Sequence, residues 1–191
     1  MPTPMVVSMG SDWNSQLRQQ LDQHWRSRLR PRLEGLTDDE YFWEPVPKAW
    51  SVRPRGTSTA SMAAGGGDMV FDWAYPAPDP PPVTTIAWRF GHIIVGVLGV
   101  RIARHFGGAP MDYLRHHYAG SAAEALAQLD TVYAQWVAGV TGLGAEGLAK
   151  PSGEEGYGDD TMGALILHIN REVIHHGAEI ALLRDLYLRR Q

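Results

Sequence analysis

Leu165, Ile169, Glu172, His176, Ile180 and Leu183 follow one another at steps of four, three, four, four and three residues. That spacing is the inward stripe of an α-helix. Four of the six are apolar, as a core stripe requires; the other two are a carboxylate and an imidazole one turn apart. A glutamate is almost never fully buried unless it is paired or bound to something. A chain carrying this stripe must pack it inside a helical bundle and give Glu172 and His176 a shared partner, for which a cation is the natural choice.

Three more amphipathic segments supply the rest of a bundle. Trp13, Leu17, Leu21, Trp25 and Leu29 mark the apolar side of a helix over roughly 11–33, with Pro31 disturbing its last turn. Trp88, His92, Val95, Gly99, Ile102 and Phe106 lie along one side of a second helix over 85–106, where Gly91, Gly96 and Gly99 permit close approach of another helix. A third helix begins after Ser121, with Glu124 at capping-box spacing, and runs to about Gly142 through Leu126, Leu129, Tyr133, Trp136 and Val140. The fourth starts near Asp160 or Thr161 and reaches Leu188. Thr37 and Glu40 repeat the capping-box spacing and predict a short helical turn. No run alternates convincingly enough for a strand. The expected fold is all-α: a single domain over 1–191, an antiparallel four-helix bundle with long connecting loops. Its most irregular part is the Pro-, Gly- and aromatic-rich segment 43–83, whose aromatics should fold back over the bundle.

The bulk numbers narrow the function. Net charge is −4, which argues against a broad nucleic-acid surface; the run Arg26, Arg28, Arg30, Arg32 reads as the face of an ordinary helix. With no cysteine in the chain, disulfides, thiolate-held zinc, iron–sulfur clusters and a cysteine nucleophile are excluded. Phe90–Val100 is shorter than a membrane span and is followed by Arg101 and Arg104, and the first residues do not read as a signal peptide. The expectation is a cytoplasmic protein, with neither nucleic acid nor membrane as partner.

Glu172 and His176, at i and i+4, leave one helix face together. If the second and fourth helices pack face to face, His92 completes a His–Glu–His set suited to Zn²⁺, Fe²⁺, Ni²⁺, Mn²⁺ or Co²⁺, with at least one coordination position open. Bland readings stand beside this one. His92 alone could be a satisfied core histidine, and Glu172 could pair with Arg171. His168 falls beside the stripe, and His175 points about 100° away from His176. His24 sits in the first helix, and His105, His116 and His117 sit near the exposed end of the second helix and its loop. Glu179, one turn beyond His175, could orient an imidazole.

The segment from His168 to Ile180, His-Ile-Asn-Arg-Glu-Val-Ile-His-His-Gly-Ala-Glu-Ile, with Trp88-Arg-Phe-Gly-His-Ile upstream, resembles the DinB/YfiT-like superfamily. The likeness is closest to its mycothiol-dependent maleylpyruvate isomerase branch. That resemblance implies a four-helix bundle holding a divalent metal on three side chains. Many members use three histidines; here Glu172 stands at the first position of the fourth-helix pair, as in the isomerase branch. The ligands carried over are His92, Glu172 and His176. The resemblance further implies a thiol transferase or isomerase in which the metal, zinc first among candidates, activates mycothiol or bacillithiol against a small electrophilic substrate. Arg89 or Arg171 could hold a substrate carboxylate, and Trp50 and Trp88 could wall the pocket. The alternatives are a metal-assisted hydrolase and a non-catalytic, metal-binding or dimerising stress protein; an exposed apolar helix side would favour a homodimer. Residues 56–82 do not align with the common family core.

Overall fold

The computed structural model describes residues 12–154 and 160–190. Within them lie six helices, four long and two short, and one small sheet. The expected all-α bundle core is present, with more helices than the four expected. The expectation for the first residues falls outside the described part, as do Ser11 and residues 155–159 of the loop before the last helix.

Helix α1 runs Trp13–His24, continues through a π-helical stretch Trp25–Leu29 and ends in the turn Arg30–Arg32. The π stretch has a reason in the sequence. Leu17, Leu21, Trp25, Leu29 and Leu33 are all buried, and they recur every four residues. In a regular α-helix each such step drifts about 40° around the axis. The wider i→i+5 turns take up that drift and keep the row facing inward. Trp13, expected in the same row, is 63% exposed, one turn too early to reach the core. Helix α2 is Asp38–Tyr41, capped by the Thr37 hydroxyl, which accepts from Glu40 N. Its buried Glu40 pairs with Arg184 and ties α2 to the last helix.

Helix α3 spans Ile86–His105 and contains a π-helical segment, His92–Gly99. By length and composition it could cross a membrane, contrary to the expectation from Phe90–Val100 alone, but Ile86, Ala87, Phe90, Ile93, Ile94 and Leu98 are buried in the bundle. Helix α4 is Ala122–Thr141, with Ser121 Oγ accepting from Glu124 N. The short α5, Gly144–Ala149, interrupts a stretch read from sequence as loop. Helix α6 runs Met162–Leu188 and starts from Thr161, whose hydroxyl accepts from Ala164 N.

Cross-helix contacts fix the directions. Asn14 donates to Val140 O, Tyr133 to Asp22, and Arg30 pairs with Asp130, so α1 and α4 are antiparallel. Asn170 donates to Leu17 O and Arg32 to Asp185, so α1 and α6 are parallel. Arg89 meets Glu179 and His92 meets His176, so α3 and α6 are antiparallel. It follows that α3 and α4, consecutive in the chain, are parallel. Both α1 and α3 pack on α4 and α6. The expected antiparallel bundle is therefore corrected to an up-down-down-up one, a non-simple topology of the kind that long crossovers allow.

Parallel α3 and α4 force residues 106–121 to run back along the bundle, and they do so on the glycines of α3. A Cβ on Gly99 would lie 2.0 Å from Met111 Sδ, one on Gly96 would lie 1.8 Å from Tyr113 Oη, and one on Gly91 would lie 3.1 Å from the Tyr118 ring. These glycines admit the returning loop, where the sequence suggested a neighbouring helix.

The segment 43–83 holds structure the sequence did not announce. Strands β1 (Val52–Pro54), β2 (Met62–Ala64) and β3 (Met69–Trp73) form an antiparallel sheet in the order β1-β3-β2. Val52 lies opposite Phe71, and Ala64 opposite Phe71 on the other edge. Runs of three to five residues carry too little alternation to be recognised alone, and Pro54 is tolerated because β1 is an edge strand. Asp72, fully buried, accepts from Ser51 N, Arg53 Nε and Ser58 Oγ. Its carbonyl accepts from the Trp88 indole at 2.8 Å. Those bonds fasten the sheet to α3 one turn before His92.

Candidate metal centre

Helices α3 and α6 bring His92 beside His176, with Glu172 one turn before His176 on α6. The His92 and His176 rings meet edge to face with centroids 4.8 Å apart. His176 Nε2 lies 3.5 Å from Glu172 Oε2. The predicted stripe is otherwise buried as expected: Leu165, Ile169, Ile180 and Leu183 are in the core, and His176 is 7% exposed. Glu172 is half-buried, and its other oxygen, Oε1, is 3.4 Å from Arg171 and 3.9 Å from His168. The pairing with Arg171 that the sequence allowed is thus present, on the oxygen that does not face His176.

Each imidazole is held through its second nitrogen. His176 Nδ1 is 2.7 Å from Glu179 Oε2, a carboxylate contact that assigns the proton to Nδ1 and leaves the Nε2 lone pair toward Glu172. His92 Nδ1 is 2.8 Å from the Tyr113 hydroxyl. Burial raises the Tyr113 phenol to about 12, so it stays protonated. Burial also lowers His92 to about 4; the neighbouring His176 and Arg89 push the same way, and Glu172 opposes them. His176 is lowered by burial too, partly offset by its bond to Glu179. Both rings are therefore neutral at pH 7, the form in which imidazole can bind a metal.

Arginines border the cluster. Arg89 Nε is 3.1 Å from Glu179 Oε2 without forming a hydrogen bond, and its NH1 lies 3.4 Å from His176 Nδ1. Arg171 contacts both Glu172 and His168. Arg101 pairs with Glu154, whose other oxygen is 2.8 Å from His105 Nε2. The His105 side chain is therefore largely covered beside the Arg101–Glu154 ion pair, and not part of an exposed helix end. His116 is partly buried, 3.3 Å from Gln128. His24 Nε2 is buried without a hydrogen-bond partner.

A second donor set lies on α6 alone. His175, His176 and Glu179 place one ligand atom each within 4.8 Å of one another and form a potential divalent-metal site. His175 is the outward member, its side chain 61% exposed. The two sets share His176.

Sequence reasoning missed Tyr113 altogether, because its approach to His92 depends on the path of the loop. The available signal was Gly96, one turn after His92, which leaves room for a large side chain. Glu179 was foreseen as an orienting carboxylate. It contacts His175 at 3.5 Å, but its short bond goes to His176, three residues before it.

No curated protein and no solved structure matches this chain. A family match covers residues 20–180, from the middle of α1 to the far side of the imidazole cluster on α6. The chain belongs to the DinB superfamily.

Proposed function

We propose that His92, Glu172 and His176 hold a divalent metal, and that the protein uses it to activate a low-molecular-weight thiol against a small electrophile, as a thiol transferase or isomerase. The observation that carries this reading is the facing pair His176 Nε2 and Glu172 Oε2. A neutral imidazole has one proton, and the contact with Glu179 uses it at Nδ1. Nε2 and the carboxylate oxygen are then two lone-pair donors facing each other at 3.5 Å. Two donors each about 2.0–2.2 Å from one tetrahedral ion lie about 3.3–3.6 Å apart, so the pair has the spacing of shared ligands. His92 brings a third donor from the opposite helix, its Nδ1 already tied to Tyr113.

The set on α6 alone fits less well. His176 Nδ1 and Glu179 Oε2, at 2.7 Å, are separated by a hydrogen-bond length, too short for two ligands of one ion. Glu179 is better placed to fix the ring of His176, as carboxylates behind metal-binding histidines do.

A divalent metal at this position supplies Lewis acidity that brings a thiol's pKa toward neutrality. Zinc suits the donors, and nickel, iron, manganese and cobalt share the preference. With no cysteine in the chain, the thiol enters as a cosubstrate; mycothiol and bacillithiol are those the family resemblance suggests. Glu179 keeps His176 in the ligating tautomer, and the Tyr113 hydroxyl fixes the orientation of the His92 ring. Arg89 sets a positive charge beside His176, where it can steady an anionic group of either reactant. Of the two carboxylates nearest the cluster, Glu172 is a ligand in this reading and Glu179 is held by His176 and Arg89. Neither is free as a general base for water, which favours thiol chemistry over hydrolysis.

Cobalt-loaded protein tests the reading. Addition of mycothiol or bacillithiol should produce a sulfur-to-cobalt charge-transfer band and thiol-dependent turnover of electrophilic substrates. An unchanged spectrum would remove the thiol role. Thiol-independent turnover of esters, amides or phosphates would assign the site to hydrolysis instead.

A further inference from the structure

Beside the imidazole cluster lies an apolar pocket of about 510 Å³ whose walls are mainly aromatic rings: Trp50, Phe71, Trp73, Trp88 and Tyr113. Strand β3 supplies two of these rings, Phe71 and Trp73. Phe71 stacks on Trp88 with centroids 4.8 Å apart and 23° between planes, and Trp50 lies 6.1 Å from Trp88. Three polar groups around it are committed elsewhere. The Trp88 indole donates to Asp72 O, the Tyr113 hydroxyl meets His92, and Asp112 accepts from Leu114 N, Arg115 N and the Arg115 guanidinium. The pocket therefore offers ring faces and no available countercharge.

We propose that this pocket binds a neutral, planar aromatic or conjugated group, and that it is the apolar half of the substrate site whose polar half is the His92, Glu172 and His176 cluster. The second clause rests on the function proposed above. The volume accommodates a one- or two-ring molecule, and flat rings gain from stacking on the walls beyond the area they bury. A cation, which ring faces otherwise attract, would meet the Arg89 guanidinium already 5.2 Å from the Trp88 ring centroid and find no available carboxylate. Trp88 and Tyr113 belong to both halves: Trp88 stacks on the His92 ring at 5.4 Å, and Tyr113 bonds its Nδ1. A ring seated in the pocket presses on the two side chains that hold His92, so ring binding and metal binding are linked, and by equal factors in each direction.

Titration calorimetry and saturation-transfer NMR with 2-naphthol, against tetramethylammonium as the cationic contrast, test the proposal. The expected result is saturable binding of one naphthol per chain and no saturation with tetramethylammonium. Ala77→Phe, on an exposed rim position, should weaken naphthol at least tenfold by filling the pocket, and Ala74→Leu should repeat the effect from the opposite end of the same segment. Saturating zinc should change naphthol affinity at least threefold. No saturable naphthol binding, binding indifferent to both substitutions, or tetramethylammonium binding equally well would overturn the pocket assignment. Naphthol affinity unmoved by zinc, in protein shown by a separate dye competition to bind zinc, would overturn its link to the cluster. Failure of the dye competition itself would fall on the metal reading and leave the naphthol result to stand alone.

Discussion

Gly96→Ala is ordinarily a stabilising change inside a helix, worth about 1 kcal/mol in propensity. In this protein the opposite is expected. The added Cβ would sit 1.8 Å from Tyr113 Oη, 2.8 Å from Tyr113 Cζ and 3.2 Å from His92 Nδ1. Tyr113 is partly buried and packs at a tilt against Phe71, with ring centroids 5.2 Å apart, so it retreats only by disturbing packed rings. Overpacking of this kind costs about 1–3 kcal/mol, and losing the bond to His92 adds about 1 kcal/mol. Subtracting the propensity gain leaves a net loss of about 1–3 kcal/mol. Tyr113→Phe removes the oxygen responsible for the closest clash. In that background Gly96→Ala should cost about 1–2 kcal/mol less, a coupling that a double-mutant cycle measures directly. Urea unfolding of the four metal-free proteins gives the cycle. Gly96→Ala stabilising the otherwise unchanged protein, or costing the same with and without the Tyr113 hydroxyl, would refute the idea that glycine is there to admit Tyr113.

Other substitutions probe separate parts of the account. Asp72→Ala should destabilise by about 1–3 kcal/mol, because it leaves the buried Ser51 amide and the Arg53 Nε without their acceptor, while Glu44 and Ala49 O still hold the rest of the guanidinium; a loss below about 0.5 kcal/mol in thermal unfolding would show that the sheet is not fastened this way. Glu179→Gln should weaken zinc binding about 10–100-fold while leaving the fold intact, read by competition with a chelating dye. An unchanged affinity would deny Glu179 its orienting role. Burial lowers the pKa of His116, against the opposing hydrogen bond to Gln128 Oε1. The unfolded chain therefore takes up the proton first as pH falls below about 6.5. Stability should drop through that range until the folded-state pKa is reached, and His116→Asn should flatten that part of the profile of melting temperature against pH.

How much of this was legible in the sequence follows from the range of the interactions involved. The α6 stripe and the caps at Thr37, Ser121 and Thr161 depend on residues within one turn of each other, and they stand where the sequence put them. His92 and His176 meet as their positions on facing helices suggested, because each replaces an apolar residue in an inward row. The sheet depends on pairings such as Val52 with Phe71, across a Gly-rich turn, and three-residue strands leave no periodic trace. The parallel order of α3 and α4 was hidden because helix direction is set by how the connecting loop packs. The clue lay in Gly91, Gly96 and Gly99, whose missing side chains the loop's Tyr118, Tyr113 and Met111 fill. The same loop brings Tyr113 to His92, so the overlooked topology and the overlooked site residue have one cause.

Zinc affinity across four single variants tests the heart of the account. His92→Ala, Glu172→Gln and His176→Ala should each lower it at least a hundredfold from a wild type that binds one ion per chain, while His175→Ala should leave it within about threefold. Retention of wild-type affinity in His92→Ala and Glu172→Gln, with loss in His175→Ala, would place the ion on the outer face of α6 and contradict the reading of a centre shared between α3 and α6.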